Sequence, residues 1–136
     1  METLAVHLAL HGALVLTISI VAGLFLYRSI LNNTKQSAWH LIHAGGTARG
    51  IMLIALAAII ELPDLPFWQL STMAWLIIFF AWTSVLAMLL AAASGERGLR
   101  CSGSLANKVV YVLYGMGTLA IFPGCLLLIY GLFNAL

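Results

Sequence analysis

The stretch that decides the fold is WQLSTMAWLIIFFAWTSVLAMLLAAA, Trp68 to Ala93, 26 residues without a charged side chain. A helix rises about 1.5 Å per residue and bilayer hydrocarbon is about 30 Å thick, so roughly 20 such residues cross it. Three further apolar stretches run from Leu4 to Tyr27, Trp39 to Ile60 and Val109 to Phe133, and only the second of them holds a permanent charge, Arg49. Little of the 136 residues is left for a water-soluble region. The chain therefore reads as one transmembrane domain over 1–136, an all-α bundle of four transmembrane helices embedded in membrane lipid.

Composition gives the same answer. The chain is 63% hydrophobic and 7% charged, with a mean hydropathy of +1.09, whereas soluble domains are roughly half apolar and a quarter charged. A soluble globule is excluded, and so is disorder, which needs polar, highly charged sequence. Six Lys and Arg against four Asp and Glu are too few and too scattered to hold phosphates, so nucleic acid is not an expected partner.

The breaks between spans are Arg28 to Lys35, Glu61 to Pro66 and Ser94 to Lys108. Pro63 and Pro66 predict a tight hairpin in the second, because proline removes a backbone donor and restricts its predecessor. Five of the six basic residues, Arg28, Lys35, Arg97, Arg100 and Lys108, fall in loops one and three. The positive-inside rule puts those loops in the cytoplasm and both termini outside, with a bacterial inner membrane as the expected location. Trp39 and Trp68 stand at helix entrances, where aromatic belts form. Met1-Glu2-Thr3 is acidic and no small-residue cleavage site follows the first span, which argues against a cleaved signal peptide. Cys125 lies about 16 residues, or roughly 24 Å, into the last span. It is not expected to pair with Cys101 in loop three, and the two have no metal-type spacing.

Ionisable groups inside a bilayer are costly and point to function. Here they are His7, His11, His40, His43 and Arg49, with no carboxylate among them. A proton relay or cation channel would normally need one. The second span opens Trp39-His-Leu-Ile-His-Ala-Gly-Gly-Thr-Ala-Arg-Gly50, which places His40, His43, Thr47 and Gly50 along one helical stripe. Gly46 and Gly50 form a small-xxx-small pair beside it. That pair reads either as a close helix contact or as a bare strip for a flat macrocycle whose metal is ligated by His43.

Depth limits the metal reading. His7 and His11 are near the outer end of their span and His40 and His43 near the inner end of theirs, ~15 Å apart along the membrane normal. Two axial ligands of one iron cannot come from both pairs, nor from His40 and His43 on one helix. A haem in one subunit would keep a single histidine and an open sixth position, and the absence of Cys-x-x-Cys-His excludes covalent attachment. Trp75 and Trp82 share a face, as do Tyr111, Tyr114 and Thr118; both stripes read as interhelix packing. Pro123 predicts a kink in the last span.

The layout of His11-Gly12, Trp39 with His43-Ala-Gly, Arg49-Gly50-Ile-Met-Leu-Ile-Ala55, Trp82 and Arg97-Gly-Leu99 resembles the styrene oxide isomerase family over most of the chain. The resemblance implies a small four-helix membrane protein that assembles as a homotrimer and holds one haem b per subunit, at subunit contacts, through one histidine. His43 matches the axial position. The family's iron acts as a Lewis acid on an epoxide oxygen, and the ring opens to an aldehyde by hydride shift without redox turnover or a second substrate. The residues expected at the cofactor are His43, as metal ligand, with Gly46, Arg49 and Gly50. The chain departs from the family where Arg49 replaces an asparagine, Phe80 an aspartate and Met88 a tyrosine, all around the substrate pocket. Arg49 needs a partner, which could be a haem propionate, a neighbouring subunit's carboxylate or the membrane interface; Arg97 is a surface charge or a propionate anchor. Two other classes stay open: a non-catalytic haem-based sensor or carrier, and a haem-free structural subunit.

Overall fold

The computed structural model describes residues 2–34 and 36–136, so Lys35 lies outside the described residues. Four helices follow in order, α1 Glu2–Leu31, α2 Gln36–Ile59, α3 Phe67–Ser94 and α4 Leu105–Asn134. All four are long and apolar enough to cross a membrane, and the chain is an integral membrane protein. Most helices overrun their expected spans, since backbone hydrogen bonding continues through interfacial residues such as Arg28 and Lys108.

The helices form an open bundle. α1 pairs with α2, α3 packs against both, and the backbone of α4 approaches α3 alone. α3 is consequently the central element, with Met73, Ala74, Ile77, Ala81 and Val85 fully covered. Leu119, Phe122, Leu126 and Phe133 of α4 point outward, where hydrocarbon is their natural solvent. Because α2 and α4 stand apart on the surface of α3, a groove runs between them.

The α1–α2 seam is closed by glycine. A Cβ on Gly50 would lie 2.8 Å from Leu16 Cβ and 2.9 Å from the Gly12 carbonyl oxygen, and one on Gly12 would lie 2.9 Å from the Gly50 carbonyl oxygen. The two backbones touch there, as small residues permit between membrane helices. One turn earlier, Gly46 is filled by the side chain of Ser19, whose hydroxyl donates to the Val15 carbonyl at 2.8 Å.

The connections are ordered by local chemistry. α1 ends with Asn33 in the left-handed region (φ 51°), Asn33 N–H donating to Ile30 and Thr34 N–H to Ser29, a Schellman closure with asparagine where glycine is usual. The second loop is tight as expected, and it also docks on α4. The Asp64 N–H donates to the Gly131 carbonyl at 2.9 Å, one of the last-turn carbonyls without a partner in its own helix. In loop three the Asn107 side chain accepts from Gly98 N–H and donates to the carbonyls of Arg100 and Ser102. Ser104 caps α4 by accepting from Asn107 N–H, and α4 continues unbroken through Pro123. Ser37 and Ala38 line a cavity with Glu96 and Arg97, while Glu2 lines another with Glu61. Loops one and three thus share one end of the bundle, and the N-terminus and loop two share the other.

Candidate functional site

His43 sits on the flank of α2 that faces α1. Its Nδ1 is 2.9 Å from the Ser19 carbonyl oxygen, and a carbonyl only accepts, so Nδ1 carries the proton and the neutral ring keeps its lone pair on Nε2. Gly23, one turn further along α1, makes the room. A Cβ there would lie 2.9 Å from Nδ1 and 3.0 Å from Cε1 of the imidazole. The Thr47 hydroxyl, one turn along α2, is satisfied by the His43 carbonyl and does not compete for the ring. Gly46 and Gly50 are both buried in the α1–α2 seam, so the glycine pair serves the helix contact and α1 covers the strip.

Arg49 occupies the other flank of α2. Its Nη1 donates to the Gly45 carbonyl at 2.7 Å, and its guanidinium carbon lies 5.1 Å from the centre of the Phe80 ring, a cation–π contact. A Cβ on Gly45 would lie 3.0 Å from that Nη1 and 3.1 Å from Met88 Sδ, so all three positions that depart from the family pattern converge on one spot. The Arg49 Nε atom is buried with no hydrogen-bond partner. His43 and Arg49 are not brought together, because the first meets α1 and the second meets α3.

The other histidines separate in the same way. His7 and His11 gather with Trp75 and Trp82, and Trp82 Nε1 donates to His11 Nδ1 at 3.1 Å. His11 is twelve residues from Gly23 along α1, about 18 Å of rise, so this cluster and His43 cannot share a metal. Trp82→Phe is expected to cost about 1 kcal/mol through the orphaned acceptor, read as a lower unfolding midpoint in detergent, with the His43 site unaffected. His40 and Arg97 are exposed, the latter in loop three. Cys101 and Cys125 are free, and among the described residues no three His, Cys, Asp or Glu side chains come together around a metal-sized space. Reading the sequence did not find Gly23 or the Ser19 carbonyl. No motif links either to His43, since the pairing depends on how α1 and α2 cross.

An integral membrane protein of four helices, with one imidazole held by a carbonyl and one guanidinium left without an acid, is the class that fold and site define. The styrene oxide isomerase family model matches residues 4–133, and the chain belongs to that family. A search of curated proteins finds no match to the chain.

Proposed function

We propose that this chain binds one haem b through His43 Nε2 and isomerises an epoxide to an aldehyde. The observation that carries the reading is the bond from His43 Nδ1–H to the Ser19 carbonyl. Metal-bound histidines almost always donate their second ring N–H to a carbonyl or carboxylate, which fixes the tautomer, aims the free nitrogen and raises its basicity. The room left by Gly23 and the lone pair left on Nε2 suit one axial ligand. A haem held there by His43 would supply Lewis acidity, the chemistry that polarises an epoxide oxygen.

The rest of the work falls to the chain. The Ser19 carbonyl holds the ring against rotation, and the glycine contact at Gly12 and Gly50 keeps that carbonyl in place. His43 is only half-buried, so a neighbouring copy would have to enclose the macrocycle, in keeping with a homotrimer.

Purified protein made with ample haem should show a Soret band that His43→Ala abolishes or shifts. Absence of the band, or an unchanged band in the variant, would overturn the assignment. The replacement of three polar family positions by Arg49, Phe80 and Met88 favours a second reading, a non-catalytic haem protein. Incubation of the ferric protein with aryl and alkyl epoxides separates the two, aldehyde formation supporting the isomerase and its absence from every epoxide supporting the binding protein.

A further inference from the structure

Basic side chains gather at one end of the bundle. Loops one and three carry five of the six, with Glu96 as their only acid, whereas the N-terminus and loop two carry Glu2, Glu61 and Asp64 and no base. Loop three also has a fixed shape. Gly95 and Gly98 take left-handed backbone (φ 77° and 62°), and the Asn107 side chain ties Gly98, Arg100 and Ser102 together. A Cβ on Gly98 would overlap Val110 of α4, so the loop lies directly on that helix. Arg97 and Leu99, on either side of Gly98, are thereby seated at the mouth of the groove between α2 and α4.

Two cavities meet at those residues. One is a depression of about 480 Å³ on loop three itself, where Arg97, Arg100, Ser102 and Asn107 supply polar walls. The other, of about 420 Å³, enters the groove among Ala38 and Leu41 of α2, Ala91 of α3 and Tyr114 of α4. Glu96, Arg97 and Leu99 line both, so the polar depression runs into an apolar cleft. The cleft is open at its side, since α2 and α4 do not approach one another and Leu41 and Leu99 stay exposed. Glu96 is engaged by the Ser104 hydroxyl at 2.6 Å, and two arginines face that one carboxylate across the depression.

We propose that this end of the α2–α4 groove binds an anionic phospholipid, its phosphate on Arg97 and Arg100 and one acyl chain in the cleft along Leu41, Ala38 and Ala91. A guanidinium meets phosphate oxygens with a planar fork of donors, and two of them line the one depression. Basic pockets beside membrane helices hold anionic head groups in this way. The depths agree with such a lipid, because the arginines lie beyond the last turn of α3 and the apolar cleft lies between the spans. A soluble anion would use the arginines alone. A zwitterionic lipid would bring a cation of its own to them. The site stands apart from His43 and does not rest on the haem reading.

The experiment is native mass spectrometry of the full chain in detergent with equal amounts of phosphatidylglycerol and phosphatidylcholine of one chain length. One phosphatidylglycerol retained per chain is expected, preferred at least fivefold. Arg97→Gln and Arg100→Gln should each lower that preference at least threefold, and Leu41→Trp, which crowds the cleft without touching a charge, should lower retention. Arg28→Gln removes a base from the same end but from neither cavity, and should leave the preference intact. An equal loss in Arg28→Gln would overturn the site in favour of diffuse charge. Competition by glycerol phosphate as effective as by lysophosphatidylglycerol would overturn it in favour of a soluble anion. The measurement is made on haem-free and haem-loaded protein, and an equal preference in both supports the lipid. Lipid held by the monomer but absent from a larger assembly, or a preference lost on haem loading, would overturn it by assigning the cleft to a second copy or to the cofactor.

Discussion

Gly50→Leu is expected to unseat α1 from α2 and to leave little folded protein. A Cβ at this position already lies 2.8 Å from the backbone nitrogen and Cβ of Leu16 and 2.9 Å from the Gly12 carbonyl, closer than real Cβ atoms approach their neighbours. Two of those three contacts are backbone, so no rotamer change relieves them and the helices must separate. Overpacking of a dense interior costs roughly 1–3 kcal/mol when side chains can yield. Here the cost should reach or exceed that upper bound, and separation also withdraws the Ser19 carbonyl from His43. The measurement is the thermal unfolding midpoint in detergent, with Gly115→Leu as the control. Gly115 sits in a helix too, but a Cβ there meets nothing within 4 Å, so the midpoint should stay near that of the unaltered protein. Similar losses in both variants would show that leucine harms any helical glycine of this chain and that the crossing is not special.

Gly23→Val is expected to do the reverse, sparing the fold and weakening the proposed binding of haem at His43. The added Cβ would fall 2.9 Å from His43 Nδ1, and the two valine methyls extend further over the ring. An imidazole can turn away, so the helices need not part; turning, however, breaks the bond to the Ser19 carbonyl and re-aims Nε2. Loss of such a supporting bond typically costs a metal site 10–100-fold in affinity. Haem titration followed by absorbance should show at least a tenfold loss with an unfolding midpoint of the haem-free protein little changed, and Gly23→Ala should fall between. Undiminished haem affinity in Gly23→Val would remove the structural support for His43 as ligand. The contrast with Gly50→Leu separates loss of a site from loss of the protein.

Much of this molecule is legible in its sequence because a membrane imposes simple rules. Uninterrupted apolar runs such as Trp68 to Ala93 leave no alternative to a spanning helix, since hydrocarbon offers no partner to an open backbone. The end of the bundle shared by loops one and three follows from four spans. Isolation of the His7 and His11 pair from His43 follows from counting residues along helices, and the cluster with Trp75 and Trp82 agrees with it.

Contacts between spans are another matter, because the pattern of a membrane helix does not mark its packed face in the way an amphipathic soluble helix does. The α2 sequence offers His43, Gly46, Arg49 and Gly50 within eight residues, and nothing in their order says that they divide among three surroundings. The helix crossing divides them. It spends Gly46 and Gly50 on the seam, holds His43 against Ser19 and Gly23, and turns Arg49 away towards Phe80 and Met88. Hydropathy and spacing alone determined that four helices span a membrane and which ionisable residues they carry into it. Tertiary structure decided which of those residues meet, because the lone pair left on His43 and the unmet donor on Arg49 each depend on a backbone atom or side chain brought from elsewhere in the bundle.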